Sequence, residues 1–167
     1  MKIYLVGFMG SGKTTAAKKA ASRLKLTHID IDSLIENKYC ESIKNIFKNE
    51  GEDWFRVIER EVLISTFSMD DVVVSTGGGT PCFFDNMDLI NSNGTSFYIK
   101  IKYKALLNRL INSKKERPLI INMKNEDLEL YVKQLLEKRE TYYNKAHYTI
   151  EGESINIDHI IDKINLE

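Results

Sequence analysis

The chain offers little sulfur or imidazole chemistry. Its two cysteines, Cys40 and Cys82, are widely separated, with no Cys-x-x-Cys and no nearby paired histidine. That pattern points to two reduced thiols rather than a disulfide framework or a zinc site. The three histidines, His28, His147 and His159, are scattered and make no metal-ligand spacing. An excess of one charge is missing too. Lys+Arg and Asp+Glu each number 24, so the formal net charge is zero and the broad basic field of a nucleic-acid binder is absent. Any cationic site must be local. No apolar run approaches the ~20 residues needed to cross a bilayer, and strand-like residues begin at the third position, leaving no room for a signal peptide. The expectation is a cytoplasmic chain without nucleic-acid or membrane partners, and a monomer. Repeats, linkers and composition breaks are lacking as well, so residues 1–167 read as a single domain, long enough to bury its own core.

What is present is concentrated first in Gly7-Phe8-Met9-Gly10-Ser11-Gly12-Lys13-Thr14-Thr15. Gly7 followed after four residues by Gly12-Lys13-Thr14 fits a loop that cradles phosphates. The glycines let backbone N–H groups crowd around an anion where a Cβ would block them. Lys13 reaches the β- and γ-phosphates as a point charge, and the Thr14 hydroxyl ligates a Mg²⁺ bridging them. The apolar run Ile3-Tyr4-Leu5-Val6 before the loop reads as a strand, and Thr14-Thr15-Ala16-Ala17 opens a helix whose N-terminal dipole also favours an anion. The pattern says phosphate; it leaves the acceptor open.

Along the chain, a helix is expected over 13–25 and a second strand over 27–32. Helical spacing runs from Ser33 to about Phe67 and is interrupted at 50–53, with Gly51 as a C-cap and Asp53 as an N-cap. Val72-Val73-Val74-Ser75 suits a strand buried on both faces. A helical patch at 85–91, a turn at Asn93-Gly94, a strand over 95–101 and a helix over 104–111 follow. Residues 112–125 read as a polar loop, 128–145 as a helix, 148–150 as a last strand and 157–164 as a closing helix. Strands alternating with helices imply right-handed βαβ units and an α/β fold with a parallel sheet. Ligands in such sheets bind beyond the carboxyl ends of the strands, so 10–15, Asp30/Asp32 and Gly77–Gly79 should converge on one crevice.

Asp30 and Asp32 alternate at a strand end, so one can face Mg²⁺ and the other a substrate hydroxyl, which a carboxylate can orient or deprotonate. The plainer alternative is that Asp32 caps the helix that follows. Gly77-Gly78-Gly79 directly after a buried strand suggests something passing close to the backbone. The acidic residue expected after the second nucleotide-binding strand is missing, since Val72-Val73-Val74 leads into Ser75-Thr76; holding the metal's ligands in place from behind then falls to Asp30 and those hydroxyls. Arginines are few beside lysines. Arg56 has Glu59 one turn away to hold it, Arg117 lies in the polar loop, and Arg139 lies on a late helix. Their forked guanidiniums suit a carboxylate or phosphate. Arg23 and Arg60 read as surface ion pairs, and Arg109, on the helix before the loop, either stacks on a base or has no role.

Taken together, these residues resemble bacterial shikimate kinases over nearly the full length. The resemblance rests on Gly7–Thr15, Asp30-Ile31-Asp32, Ser42-Ile43 through Ile46-Phe47, Gly51-Glu52, Phe55-Arg56 with Glu59, Thr76-Gly77-Gly78-Gly79, Arg117-Pro118-Leu119, and Arg139 with Tyr143. It implies a three-layer P-loop kinase fold with a five-stranded parallel sheet in the nucleoside-monophosphate-kinase style. Helices over about 33–62 would bind the acceptor, and 112–125 would form a lid. It further implies that Gly10, Ser11, Gly12, Lys13, Thr14 and Thr15 hold ATP, with Arg109 and Arg117 also on the nucleotide. Mg²⁺ would sit on Thr14 with Asp30 behind it. Asp32, Arg56, Gly77, Gly78, Gly79 and Arg139 would bind shikimate, with Lys13, Asp32 and Arg117 catalytic. The chain departs from the family in having no arginine after Arg139 to cover the adenine. A gluconate or nucleotide kinase would keep the loop with other acceptor residues. A guanine-specific switch would need Asn-Lys-x-Asp, and Asn144-Lys145-Ala146-His147 lacks the aspartate.

Overall fold

A computed structural model of the chain describes residues 1–113, 118–120, 123 and 125–165. Five strands, β1 (Lys2–Val6), β2 (Thr27–Asp30), β3 (Val72–Ser75), β4 (Thr95–Ile101) and β5 (Tyr148–Gly152), pair in parallel in the order β2-β3-β1-β4-β5. Successive side chains of a strand point to opposite faces. Ile3, Tyr4, Leu5 and Val6 are nevertheless all 0% exposed, so both faces of the central strand are covered, as the apolar runs of β1 and β3 require. The helices that cover them are α1 (Lys13–Leu24), α2 (Ile31–Tyr39), α3 (Ile43–Ser65), α4 (Asn86–Asn93), α5 (Tyr103–Ile111), α6 (Asn125–Tyr143) and α7 (Ile157–Ile164). Helix α1 turns Ala16, Ala17, Ala20 and Ala21 inward. Side chains that small let its axis lie close to the sheet, so the loop before it is held tightly over the strand ends.

Several boundaries differ from expectation, each for a local reason. Strand β2 stops at Asp30, not Asp32, because the Asp30 carboxylate accepts the N–H of Ser33 and so caps α2. Asp32 therefore lies inside the first helical turn and is not the cap. The expected helix over 33–67 is two helices. Cys40 takes a left-handed φ of 52° and ends α2, and Ser42 caps α3 through the Asn45 N–H. At Gly51 (φ 84°, ψ 174°) the backbone leaves helical geometry, and two helical stretches meet at a kink inside α3, in keeping with the interruption expected over 50–53. Gly94 is extended, not turned; a Cβ there would lie 2.6 Å from the Lys2 carbonyl oxygen. Helix α7 has the expected bounds. Of the expected lid, Pro118–Ile120 forms a short 3₁₀ turn, while Arg117 lies outside the described residues. Among the described residues no helix is long and apolar enough to cross a membrane.

Candidate active site

The strand order β2-β3-β1 sets three carboxyl ends side by side. These are the ends that carry Asp30, Gly77–Gly79 and the phosphate loop. Within the loop, Gly10 and Gly12 take φ of 80° and 90°, values open to glycine at little cost. Gly12 precedes α1 with no side-chain cap, so the first-turn N–H groups of Lys13, Thr14 and Thr15, which have no intrahelical acceptors, stay available to an anion. Lys13 folds back over the loop, its Nζ donating to the carbonyls of Gly7 (2.8 Å) and Phe8 (2.9 Å). Ser11 Oγ is buried without a hydrogen-bond partner among the described residues. Arg109 lies on the other side of the loop, donating to the carbonyls of Ser11 (3.2 Å) and Glu153 (2.7 Å). It thus straps the loop to the segment after β5.

Thr14 Oγ1 donates to Asp30 Oδ2 at 2.9 Å, and Ser75 Oγ donates to the same oxygen at 2.7 Å. Burial would raise the Asp30 pKa, but hydrogen bonds from Ser75, the Ser33 N–H and Thr14, with His28 nearby, outweigh it and hold the carboxyl below its ordinary range. His28 shifts down, chiefly by burial and also by Lys18, against the pull of Asp30. An ionised Asp30 behind a hydroxyl fits a Mg²⁺ site, since that ion takes one or two protein oxygens and fills its octahedron with water and phosphate. Among the described residues no three of His, Cys, Asp and Glu cluster as a self-sufficient metal cage.

Beside this lies a cavity of about 750 Å³ whose wall includes Thr14, Asp30, Asp32, Arg56, Gly77, Gly78, Gly79 and Arg139. These candidates, from the ends of β1, β2 and β3 and from helices α2, α3 and α6, are therefore brought together. Arg56 is 5% exposed and fixed from both sides. Its Nη1 donates to Glu59 Oε2 at 2.6 Å, and its Nε and Nη2 donate to Glu52 Oε1 at 3.2 and 2.9 Å. The Phe83 ring lies 4.3 Å away. Burial disfavours its charge, but Glu59 and then Glu52 more than offset this and raise its pKa. Glu59 was expected; Glu52, Thr80 and Phe83 were not. Thr80 Oγ1 donates to Glu59 Oε1 at 2.6 Å, and nothing local in the sequence signals that bond.

Arg139 is equally buried, but among the described residues it makes no ion pair, and its guanidinium lies 5.8 Å from the Phe8 ring. A buried cation with no carboxylate partner invites an anion. The triple glycine is explained by close approach. A Cβ on Gly79 would lie 2.6 Å from Arg56 Nη1, one on Gly78 would lie 2.9 Å from the Met9 nitrogen, and one on Gly77 would lie 2.8 Å from Glu59 Oε1. Tyr143, fully buried, donates its hydroxyl to the Gly78 carbonyl and so ties α6 to the glycine turn. Burial, opposed by nearby Arg139, pushes the Cys82 thiol up to about 11, and both cysteines are free. Arg23 and Arg60 form the expected ion pairs, with Asp158 and Asp85.

Residues 9–166 match the family model described as shikimate kinase. The chain is similar to the shikimate kinase of Azobacteroides pseudotrichonymphae, 43% identical over 164 residues that span 98% of this chain and 96% of that one. Among solved structures it is similar to the shikimate kinase from Bacteroides thetaiotaomicron, with a TM-score of 0.91 at 33% identity over 99% and 97% of the two chains. It is also similar to the Acinetobacter baumannii shikimate kinase solved in complex with shikimate, with a TM-score of 0.87 at 35% identity over 98% and 90%. With a phosphate loop at a strand end, two buried arginines on helices α3 and α6 lining the cavity beside it, and relatives that match end to end, the chain belongs to the shikimate kinase family.

Proposed function

We propose that the chain transfers the γ-phosphoryl group of ATP to the 3-hydroxyl of shikimate, giving shikimate 3-phosphate, from the cavity just described. The observation that carries this reading is Arg139, a buried guanidinium without an ion-pair partner among the described residues, facing the same cavity as Thr14 and Arg56. Two convergent guanidiniums match a carboxylate, and the hydroxyl-bearing ring attached to it then points towards the phosphate loop. Gly77, Gly78 and Gly79 leave room for that ring. Asp32 orients the acceptor hydroxyl and accepts its proton as the bond to phosphorus forms. The first-turn N–H groups of Lys13, Thr14 and Thr15 hold the phosphates with Gly10, Ser11 and Gly12, and Lys13 neutralises the charge that spreads over the transferring oxygens. Thr14 would hold Mg²⁺, with Asp30 behind it; that ion supplies charge neutralisation and alignment of the β- and γ-phosphates. Arg109, on the loop's far side, takes the nucleotide. Arg117, outside the described residues, is assigned to the transferring phosphate on the family resemblance alone.

In-line transfer of this kind needs positioning more than covalent chemistry. The test is ADP release by the purified chain with shikimate, gluconate and nucleoside monophosphates as separate acceptors. ADP should appear at a substantial rate with shikimate only. Equal or faster turnover with gluconate or a nucleotide would overturn the acceptor, and ADP release independent of any acceptor would point to a nucleotide switch.

A further inference from the structure

Four polar groups stand in line from the phosphate loop towards the sheet edge. Thr14 Oγ1 is 2.9 Å from Asp30 Oδ2, Ser75 Oγ is 2.7 Å from that same oxygen, and His28 Nε2 is 3.0 Å from Ser75 Oγ. The pairing of β2 with β3 builds the line by setting Asp30 opposite Ser75, with His28 two residues back on the same strand face. The other carboxylate oxygen of Asp30 is engaged in capping α2 through Ser33.

The direction of each bond follows from counting protons. A serine hydroxyl has one hydrogen to give. Around Ser75 Oγ stand three acceptors: the Asp30 carboxylate at 2.7 Å, His28 Nε2 at 3.0 Å and the Ile29 carbonyl at 3.4 Å. The charged, nearest acceptor makes the strongest bond, so the proton goes to Asp30. His28 Nε2 then faces a lone pair of Ser75 at hydrogen-bond distance. A bare Nε2 would set lone pair against lone pair, so Nε2 must carry the hydrogen whether the ring is neutral or charged. Thr14 obeys the same count: its single hydroxyl proton goes to Asp30, which leaves its lone pairs turned away from the carboxylate.

We propose that His28 is a positioning residue for phosphoryl transfer, donating its Nε2–H to Ser75 so that Ser75 and Thr14 both donate to Asp30 and Thr14 presents its lone pairs to the divalent cation. This rests on the reading of Thr14 and Asp30 as the metal side of the site. Without the histidine donor, Asp30 is still the nearest charged acceptor of the Ser75 proton, but Ser75 Oγ loses the bond that holds its rotamer and is free to turn away from Asp30. In the turned rotamer Asp30 lacks one of the two bonds that fix Oδ2, so the carboxylate that orients Thr14 is less firmly held. Outer partners of this kind typically change metal affinity by about 10- to 100-fold when removed.

Two measurements and one control test it. Nitrogen NMR of the ligand-free protein should show His28 Nε2 protonated; a bare Nε2 overturns the proposal. His28→Phe keeps a ring but removes the donor, and His28→Gln restores an N–H near the Nε2 position. With Mn²⁺ and ADP as probe, followed by electron paramagnetic resonance, His28→Phe should weaken Mn²⁺ binding about tenfold, and His28→Gln should recover most of it. The KM for shikimate should stay unchanged in both. Unchanged Mn²⁺ binding in His28→Phe, or an equal loss in the two variants, overturns the role. Thr14→Ala separates the two readings. If Thr14→Ala weakens Mn²⁺ binding and His28→Phe does not, only the histidine role fails. If Thr14→Ala leaves Mn²⁺ binding intact, the metal assignment itself fails and the histidine proposal with it.

Discussion

Among single residues, the two buried arginines of the cavity wall separate by their partners. Arg56 is held by Glu52 and Glu59, whereas Arg139 makes no ion pair among the described residues. Removing one member of a buried pair strands the other, at a cost of ~3–5 kcal/mol. Arg56→Ala should therefore lower both stability and shikimate use, because Glu59 is left buried and charged. Arg139→Ala should raise the KM for shikimate by roughly 10- to 100-fold, the worth of a charge-assisted hydrogen bond, with little change in melting temperature. Steady-state kinetics beside thermal melts would check the contrast; a large stability loss in Arg139→Ala would mean that a hidden partner holds it. Lys13→Met should cut kcat by orders of magnitude while ADP-release assays still report the folded protein's shikimate KM. Asp30 carries a pH signature. Its folded pKa lies below the ordinary 3.8, so the stability it contributes is fully present above that value and is lost as pH falls through the folded pKa. In a His28→Phe background, which removes the imidazole that Asp30 pulls on, the stability gap caused by Asp30→Asn should hold constant from neutral pH down to about 5 and close only in stronger acid, as urea melts across pH would reveal.

At the level of elements, the glycine turn and the phosphate loop touch backbone to backbone. Gly78→Ala would press a methyl against the Met9 nitrogen, and Gly79→Ala would press one against an Arg56 already pinned by two carboxylates. Gly78→Ala should thus raise the KM for both ATP and shikimate, and Gly79→Ala that for shikimate alone; equal effects of the two on ATP would contradict this division. The alternation of strands and helices, the loop before α1 and the Arg56–Glu59 spacing were legible in the sequence, because each is written within one turn or one strand. What was not legible depends on neighbours set by the sheet order. Asp30 meets Ser75 only because β2 lies beside β3. Glu59 meets Thr80, and Tyr143 meets Gly78, only once distant segments pack. The end of β2 and the cap of α2 were not legible for a related reason. Either aspartate can cap, and the choice falls to the one whose other oxygen is already claimed by Thr14 and Ser75.

On the scale of the whole molecule, the monomer expected from the sequence is open to direct test. Light scattering should give a single mass near 19.3 kDa, and specific activity should not vary with protein concentration; activity lost on dilution would point to an obligate assembly. Shikimate at about 100 times its Kd should stabilise the fold by roughly 2.7 kcal/mol, visible as a raised melting temperature, and gluconate should not. The glycines bear on how such a protein adapts to heat. Replacing glycine by alanine ordinarily stabilises by about 0.4–1 kcal/mol through the unfolded chain. Here that route is blocked in two opposite ways. Gly51 has open space around it but a φ of 84°, while Gly77, Gly78 and Gly79 take ordinary φ values but have no space. A lineage moving to higher temperature would have to leave these glycines alone and find its rigidity elsewhere, in the surface ion pairs and helix ends. The glycine turn that lines the cavity is thereby kept as it is by its own geometry.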